Sequence, residues 1–137
     1  MTARRRPPAG LPSALLALWL AAAAPAGAAD YLLVHAETDG ALLIDRDSLR
    51  RTGERAEAWT LYRYDRPVPP APGEPRHAAM RSRYVLDCRA RRLAITERIY
   101  LASPAGTAVG RATVGDAPLR EANSPSERML LAAVCGR

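Results

Sequence analysis

Three consecutive runs in the middle of this chain repeat with a period of two, a pattern that leaves little room for anything but a β-sheet. Residues 55–65 (RAEAWTLYRYD), 77–88 (HAAMRSRYVLDC) and 92–102 (RLAITERIYLA) turn alternate side chains to opposite faces, as extended backbone requires. In the first, Trp59, Leu61 and Arg63 alternate with Ala58, Thr60, Tyr62 and Tyr64. In the second, Met80, Tyr84, Leu86 and Cys88 share one parity, while Arg81, Arg83 and Asp87 share the other. In the third, Leu93, Ile95, Ile99 and Leu101 oppose Arg92, Thr96, Arg98 and Tyr100. Only residues 89–91 separate the second run from the third, so the two should be antiparallel neighbours. Two shorter apolar runs, 31–36 (YLLVHA) and 41–45 (ALLID), flank Asp39-Gly40, a tight-turn pair that predicts a hairpin. A last strand is expected at 107–114 (TAVGRATV), bounded by Gly106 and Gly115. Residues 67–75 (PVPPAPGEP) hold five prolines in nine. They can support neither a ladder nor a helix and read as a stiff, exposed connection within one domain.

The period changes at the C-terminus. Ser124-Pro125-Ser126-Glu127 places Ser at the N-cap, Pro at the first helical position and Glu at the third, which is a capping box. Met129, Leu130, Ala133 and Val134 then share one face, and Gly136 marks the stop. A helix of about eleven residues is marginal alone, so it should lie on the sheet. The expected fold is α+β: a single antiparallel β-sheet of about six strands, apolar on one face, with the C-terminal helix packed on that face and disulfide-linked to it.

The N-terminus has a different character. Arg4, Arg5 and Arg6 precede an apolar run from Ala14 to Ala24, then Pro25 and the small residues Ala26-Gly27-Ala28-Ala29. These are the three parts of a secretory signal, so residues 1–29 are expected to be cleaved and residues 30–137 to form the domain. The run is too short for a stable membrane span, which needs about 20 residues, and no cysteine lies near the cut to carry a lipid. Cleavage also changes the electrostatics. The 137-residue chain has 20 basic residues, all arginine, against 14 acidic ones, a formal +6. Without the three signal arginines the balance is 17 against 14, or +3. The remaining arginines are spread along the chain. A mildly basic exported domain of this kind is not expected to meet nucleic acid.

An exported chain carries its two cysteines, Cys88 and Cys135, into an oxidising compartment. Cys88 ends a strand and Cys135 ends the helix. A nucleophilic thiol paired with His77, or a thiolate metal site, is the functional alternative. The even count, the export signal and the small core favour a single disulfide that pins helix to sheet. Nothing else suggests catalysis. His35 and His77 are the only histidines, and no Ser, Cys or acid stands at a catalytic spacing from either. Asp87 reads as strand-end polarity. Asp45 and Asp47 fit turn chemistry better than a calcium loop, whose further oxygen ligands are missing. The chain is read as a non-enzyme without cofactor or metal.

Certain residues resemble a known family in their order. They are Asp39-Gly40 with Asp45, the run from Ser48 to Gly53 (SLRRTG), Trp59-Thr60-Leu61 with Tyr64 and Pro67, Tyr84 with Asp87-Cys88, and Pro125-Ser126 through to Cys135. Together they resemble the surface-adhesin protein E-like domain family of Gram-negative bacteria, over about residues 30–135. The resemblance implies a periplasmic or surface-exposed domain, an antiparallel sheet with a C-terminal helix, and a Cys88–Cys135 bond. It also implies a protein partner, either host matrix and serum proteins or envelope proteins, and a possible homodimer. The chain departs from the family in having no lysine, and in Leu119, where an aromatic residue is frequent. Tyr62, Tyr64, Arg98 and Tyr100 are the expected protein-binding face, because Tyr and Arg are enriched at binding hot spots. The function expected is an exported, non-enzymatic, adhesin-like binding domain; the alternative is an envelope structural or assembly protein that binds a bacterial partner.

Overall fold

A computed structural model describes residues 29–136; the expected secretory signal lies outside the described residues, apart from Ala29. Eight strands form one antiparallel sheet, curled into a half-barrel. They are β1 (Tyr31–Ala36), β2 (Gly40–Asp45), β3 (Arg50–Thr52), β4 (Arg55–Val68), β5 (His77–Asp87), β6 (Arg92–Leu101), β7 (Ala108–Thr113) and β8 (Arg120–Glu121), followed by helix α1 (Pro125–Cys135). The main path runs β1-β2-β4-β5-β6-β7; β3 pairs with β4 and β8 with β6. The six strands of the main path are those expected from the sequence. The two additional strands are three and two residues long, too short to display a period. Among the described residues no helix is long and apolar enough to cross a membrane.

The β1–β2 turn forms where Asp39-Gly40 predicts it, with Glu37 N–H donating to the Gly40 carbonyl at 2.8 Å. Gly40 is required less for its torsions than for its closeness to β4: a Cβ there would lie 2.3 Å from the Arg63 carbonyl oxygen. Strand β4 extends to Val68, through Pro67. That is possible because its pairing with β5 skips from Arg63↔Ala79 to Val68↔His77, so no ladder bond is asked of Pro67.

The helix-bearing face holds the main core. Leu42 and Ile44 of β2, Ala56 and Ala58 of β4, Tyr84 and Leu86 of β5 and Leu93 of β6 meet Leu130, Leu131 and Val134 of α1. The capping box is present: Ser124 Oγ accepts from Glu127 N–H, and Pro125 begins the helix. The buried stripe is rotated from the expected one, however. It comprises Glu127, Leu130, Leu131 and Val134, with Ser126 buried beside it in the first turn, and Met129 is 43% exposed. Positions i, i+3, i+4 and i+7 make a regular helical stripe, but one that begins with a carboxylate is invisible to an apolar pattern.

Two expectations need correction. The sheet is apolar on both faces. Leu61, Ala79, Ile99 and Leu101 form a second buried cluster, joined by Tyr31, Leu43 and Trp59. Strand register places Arg81 between Leu61 and Ile99 on that face, with its guanidinium 5.0 Å from the Trp59 ring. The Arg81 stem shields that apolar surface, and its head reaches to 3.9 Å from Asp45 with Nε buried. Strand β6 also does not keep one parity. Pairing passes from Arg83↔Glu97 to Tyr84↔Ile95, which leaves Thr96 as an extra residue. This β-bulge sends Leu93 and Ile95 to the helix side and Ile99 and Leu101 to the other.

Cys88 and Cys135 are bonded, with their Cα atoms 5.2 Å apart. The bond joins the residue after β5 to the last residue of α1.

Candidate binding site

Two cross-strand rows build the open end of the half-barrel. One runs Leu42–Tyr62–Met80–Tyr100–Gly110 and the next Ile44–Thr60–Ser82–Arg98–Ala112. Residues directly opposite on paired strands share a face, so the β6 bulge is what brings Arg98 and Tyr100 to the same side as Tyr62. Tyr62, Tyr64, Arg98 and Tyr100 therefore share a face. It is the helix-bearing face, beyond the point where α1 begins, and not a separate polar one.

The aromatic rings form a continuous ladder. Tyr62 and Tyr64 have centroids 4.7 Å apart, Tyr64 and His77 5.5 Å, and His77 and Tyr100 4.9 Å. The ladder grades from rim to interior. Tyr62 and Tyr64 are partly exposed, whereas His77 is 4% and Tyr100 5% exposed. The proline-rich connection folds back over the inner end: Tyr100 OH donates to Glu74 at 3.3 Å, and His77 Nδ1 lies 2.8 Å from the Pro75 carbonyl. That contact makes Nδ1 the protonated nitrogen. Gly110 permits this approach, because a Cβ there would lie 2.7 Å from Pro75 Cγ. His77 opens β5 and Cys88 follows its end, so roughly 35 Å of strand separates them. The thiol–histidine pairing weighed from the sequence is absent.

The Tyr62 hydroxyl sits 2.9 Å from Glu37 Oε2 and 2.8 Å from Asp39 Oδ1. Burial first, then these two carboxylates, push its pKa well above the ordinary phenol range. Burial, together with the charge of Glu127, pushes the Tyr84 phenol up to about 12. Both rings are neutral hydrogen-bond donors at physiological pH. Between them and the start of α1 lies a cavity of about 280 Å³ whose lining includes Thr60, Tyr62, Ser82, Tyr84 and Arg98. Tyr64 also lines a second groove of about 460 Å³, bordered by Thr38, Asp39, Asp65 and Pro67.

Charged groups at the cavity wall come from distant parts of the chain. Glu37 accepts from the Ser126 hydroxyl. Arg120 donates twice to Glu127, at 2.8 and 2.6 Å, and Asn123 N–H donates to the same carboxylate at 3.0 Å. The capping-box glutamate thus reaches one residue beyond the N-cap and takes an arginine as well. Burial alone would raise the Glu127 pKa, but the Arg120 and Asn123 bonds outweigh it and hold the carboxyl below its usual range. Its folded pKa is depressed, so its stabilisation is present above the unfolded value of about 4.3 and lost as pH falls through the folded one. Glu127→Gln should lower stability at pH 7 by about 2 kcal/mol, a buried-pair cost discounted because Arg120 is partly exposed. Urea midpoints for the two proteins should converge as pH falls through the depressed folded pKa and the wild-type carboxyl also becomes protonated.

Of the sequence-read carboxylates, Asp45 caps a single 3₁₀ turn (Arg46–Ser48), accepting from Asp47 N–H at 3.2 Å. Asp87 accepts from Ala90 N–H at 2.9 Å in the β5–β6 turn. Among the described residues no group of three or more His, Cys, Asp or Glu could hold a metal ion. Glu37 and Arg120 were not singled out in the sequence, and Ser126 entered only within the capping box and the family resemblance. Only the capping box hinted at one of their partners, Glu127. What the site offers chemically is aromatic surface, neutral donors and charge. A family model described as surface-adhesin protein E matches residues 31–136. Comparison with curated proteins and with solved structures finds no match.

Proposed function

The chain belongs to the surface-adhesin protein E family, and from that we propose that it is an exported, non-enzymatic protein-binding domain whose partner docks at the open end of the half-barrel. The observation that carries the site is the aromatic ladder from Tyr62 to Tyr100, with Arg98 on the adjoining row. Tyrosines fixed by neighbouring rings present large area with little entropy left to lose, and arginine beside them completes the composition of a hot spot. Export through a signal at residues 1–29, to the periplasm or the outer-membrane surface, is supported by the Cys88–Cys135 bond, because such bonds persist in oxidising compartments. Strand β1 ends the main path of the sheet, with Leu32 48% and Leu33 56% exposed; it is the strand on which two copies would pair.

Tyr64→Ala should weaken partner binding about tenfold or more, the scale of a hot-spot residue, with little change in circular dichroism. The partner is to be sought by surface plasmon resonance of the oxidised protein against matrix, serum and envelope proteins. Unaltered affinity of the variant for whichever protein binds would argue against the ladder as the docking surface. A host protein in that role supports adhesion, and an envelope protein supports an assembly role.

A further inference from the structure

We propose that the cavity beside the start of α1 is a carboxylate-binding site in which the Arg98 guanidinium receives the anion. The proposal rests on the open end being the binding surface and names the chemistry presented there: a single carboxylate, carried by a small organic acid or by a polypeptide partner.

The space originates in the sequence. Where the neighbouring row presents Leu42, Tyr62 and Met80, the row that carries Arg98 presents Thr60 and Ser82. These two are 1% and 3% exposed, and Thr60 Oγ1 is committed to the Ser82 carbonyl at 3.3 Å. Small polar residues on adjacent central strands leave a floor that large apolar ones would have filled.

Charge selects the ligand. Four ionisable side chains of permanent charge line the cavity: Glu37, Glu127, Arg98 and Arg120. Three are engaged. Arg120 grips Glu127, and Glu37 accepts from Ser126 and Tyr62. Arg98 has no ion pair among the described residues, and its Nε is buried without a hydrogen-bond partner. A buried donor of this kind is costly unless something fills its valence. Tyr100, on the adjoining row, gives its hydroxyl hydrogen to Glu74, which leaves its oxygen as a neutral acceptor towards Arg98 and no counter-charge for the guanidinium. The Arg98 guanidinium fork, free of any ion pair, matches one carboxylate in planar, bidentate geometry. A phosphate dianion would bring a second negative charge towards Glu37 and Glu127. The buried Tyr84 phenol remains protonated and adds a donor, not a further anion.

The test is NMR of the oxidised protein, following the Arg98 Nε–H resonance during titration with sodium acetate and, at equal ionic strength, sodium chloride. A saturable shift with acetate alone supports the site; identical responses to the two salts overturn it. Arg98→Gln should reduce acetate-dependent shifts at Ser82 and Tyr84 at least tenfold. Equal shifts in that variant place the anion elsewhere and overturn the assignment to Arg98. The wild-type comparison stands even if the variant fails to fold. Two further probes separate the sources: N-acetyl-pentaalanine as free acid, and its C-terminal amide. A free acid that binds at least tenfold more tightly than acetate, with a silent amide, identifies a polypeptide carboxylate; equal binding of free acid and acetate identifies a small acid. Acetate binding in wild type, combined with an undiminished protein partner affinity in Tyr64→Ala, would keep the carboxylate site and remove the docking surface.

Discussion

Reducing the Cys88–Cys135 bond should lower the thermal midpoint by about 15 °C while leaving the native fold intact below it. The bonded residues are 47 positions apart, and closing such a loop in the unfolded chain contributes about 4 kcal/mol on the chain-entropy account. For a domain of about 100 residues each kcal/mol shifts the midpoint by roughly 4 °C. The fold should survive reduction because the C-terminal end of α1 is held in two other ways. Arg51 Nη1 donates to the Val134 carbonyl at 3.3 Å, and Arg91 Nη1 to the Gly136 carbonyl at 2.7 Å. The helix has no basic residue in its own last turn. These arginines, from β3 and the β5–β6 turn, satisfy carbonyls left open there and place positive charge at the negative end of its dipole. Calorimetry with and without reductant, repeated on the Cys88→Ser/Cys135→Ser double variant, measures the effect. An unchanged midpoint, or two titratable thiols in the oxidised protein, would contradict the account.

Leu130→Ala should cost about 3 kcal/mol, the usual result of emptying a fully buried leucine site. Leu130 is 0% exposed and lies at the centre of the helix–sheet core. The informative comparison is with its neighbours. Leu131, at 3% exposure, should behave similarly on substitution by alanine, whereas Met129, at 43%, should lose less than about 0.5 kcal/mol. An apolar pattern alone puts Met129 inside, so urea midpoints of the three variants read out the rotation of the helix. Equal losses at Met129 and Leu131 would mean that α1 sits on the sheet in the other orientation.

The same distinction explains what could be read before the structure was known. Strands were legible wherever alternation ran for five or more residues, and the helix start was legible because Ser124, Pro125 and Glu127 each serve a local need. Long-range decisions were not. The bulge at Thr96 depends on how β6 meets β5, and it moves Ile99 and Leu101 to a face the parity of Leu93 and Ile95 does not predict. The second apolar cluster was hidden because Arg63, Arg81 and Arg111 alternate with it in register; an arginine counts as polar in a pattern even when its stem lies on Leu61 or Ile99. At the site, Tyr62, Tyr64, Arg98 and Tyr100 could be named as sharing a face. Their partners Glu37 and Glu74 arrive from a hairpin and a proline-rich connection, and Glu127 joins the cavity wall from a helix cap; no local spacing announces such meetings. The Cys88–Cys135 pairing was legible because two cysteines allow only one intramolecular bond.

The central claim is that this end of the half-barrel, and not the arginine-bearing opposite face or the β1 edge, receives the partner. Amide hydrogen exchange of the oxidised protein, free and saturated with the protein that binds it, tests this directly. The account predicts added protection around Glu37–Gly40, Tyr62–Tyr64 and the start of α1, with none along β1. Protection confined to β1, or to the segments around Trp59 and Arg111 on the opposite face, would contradict it.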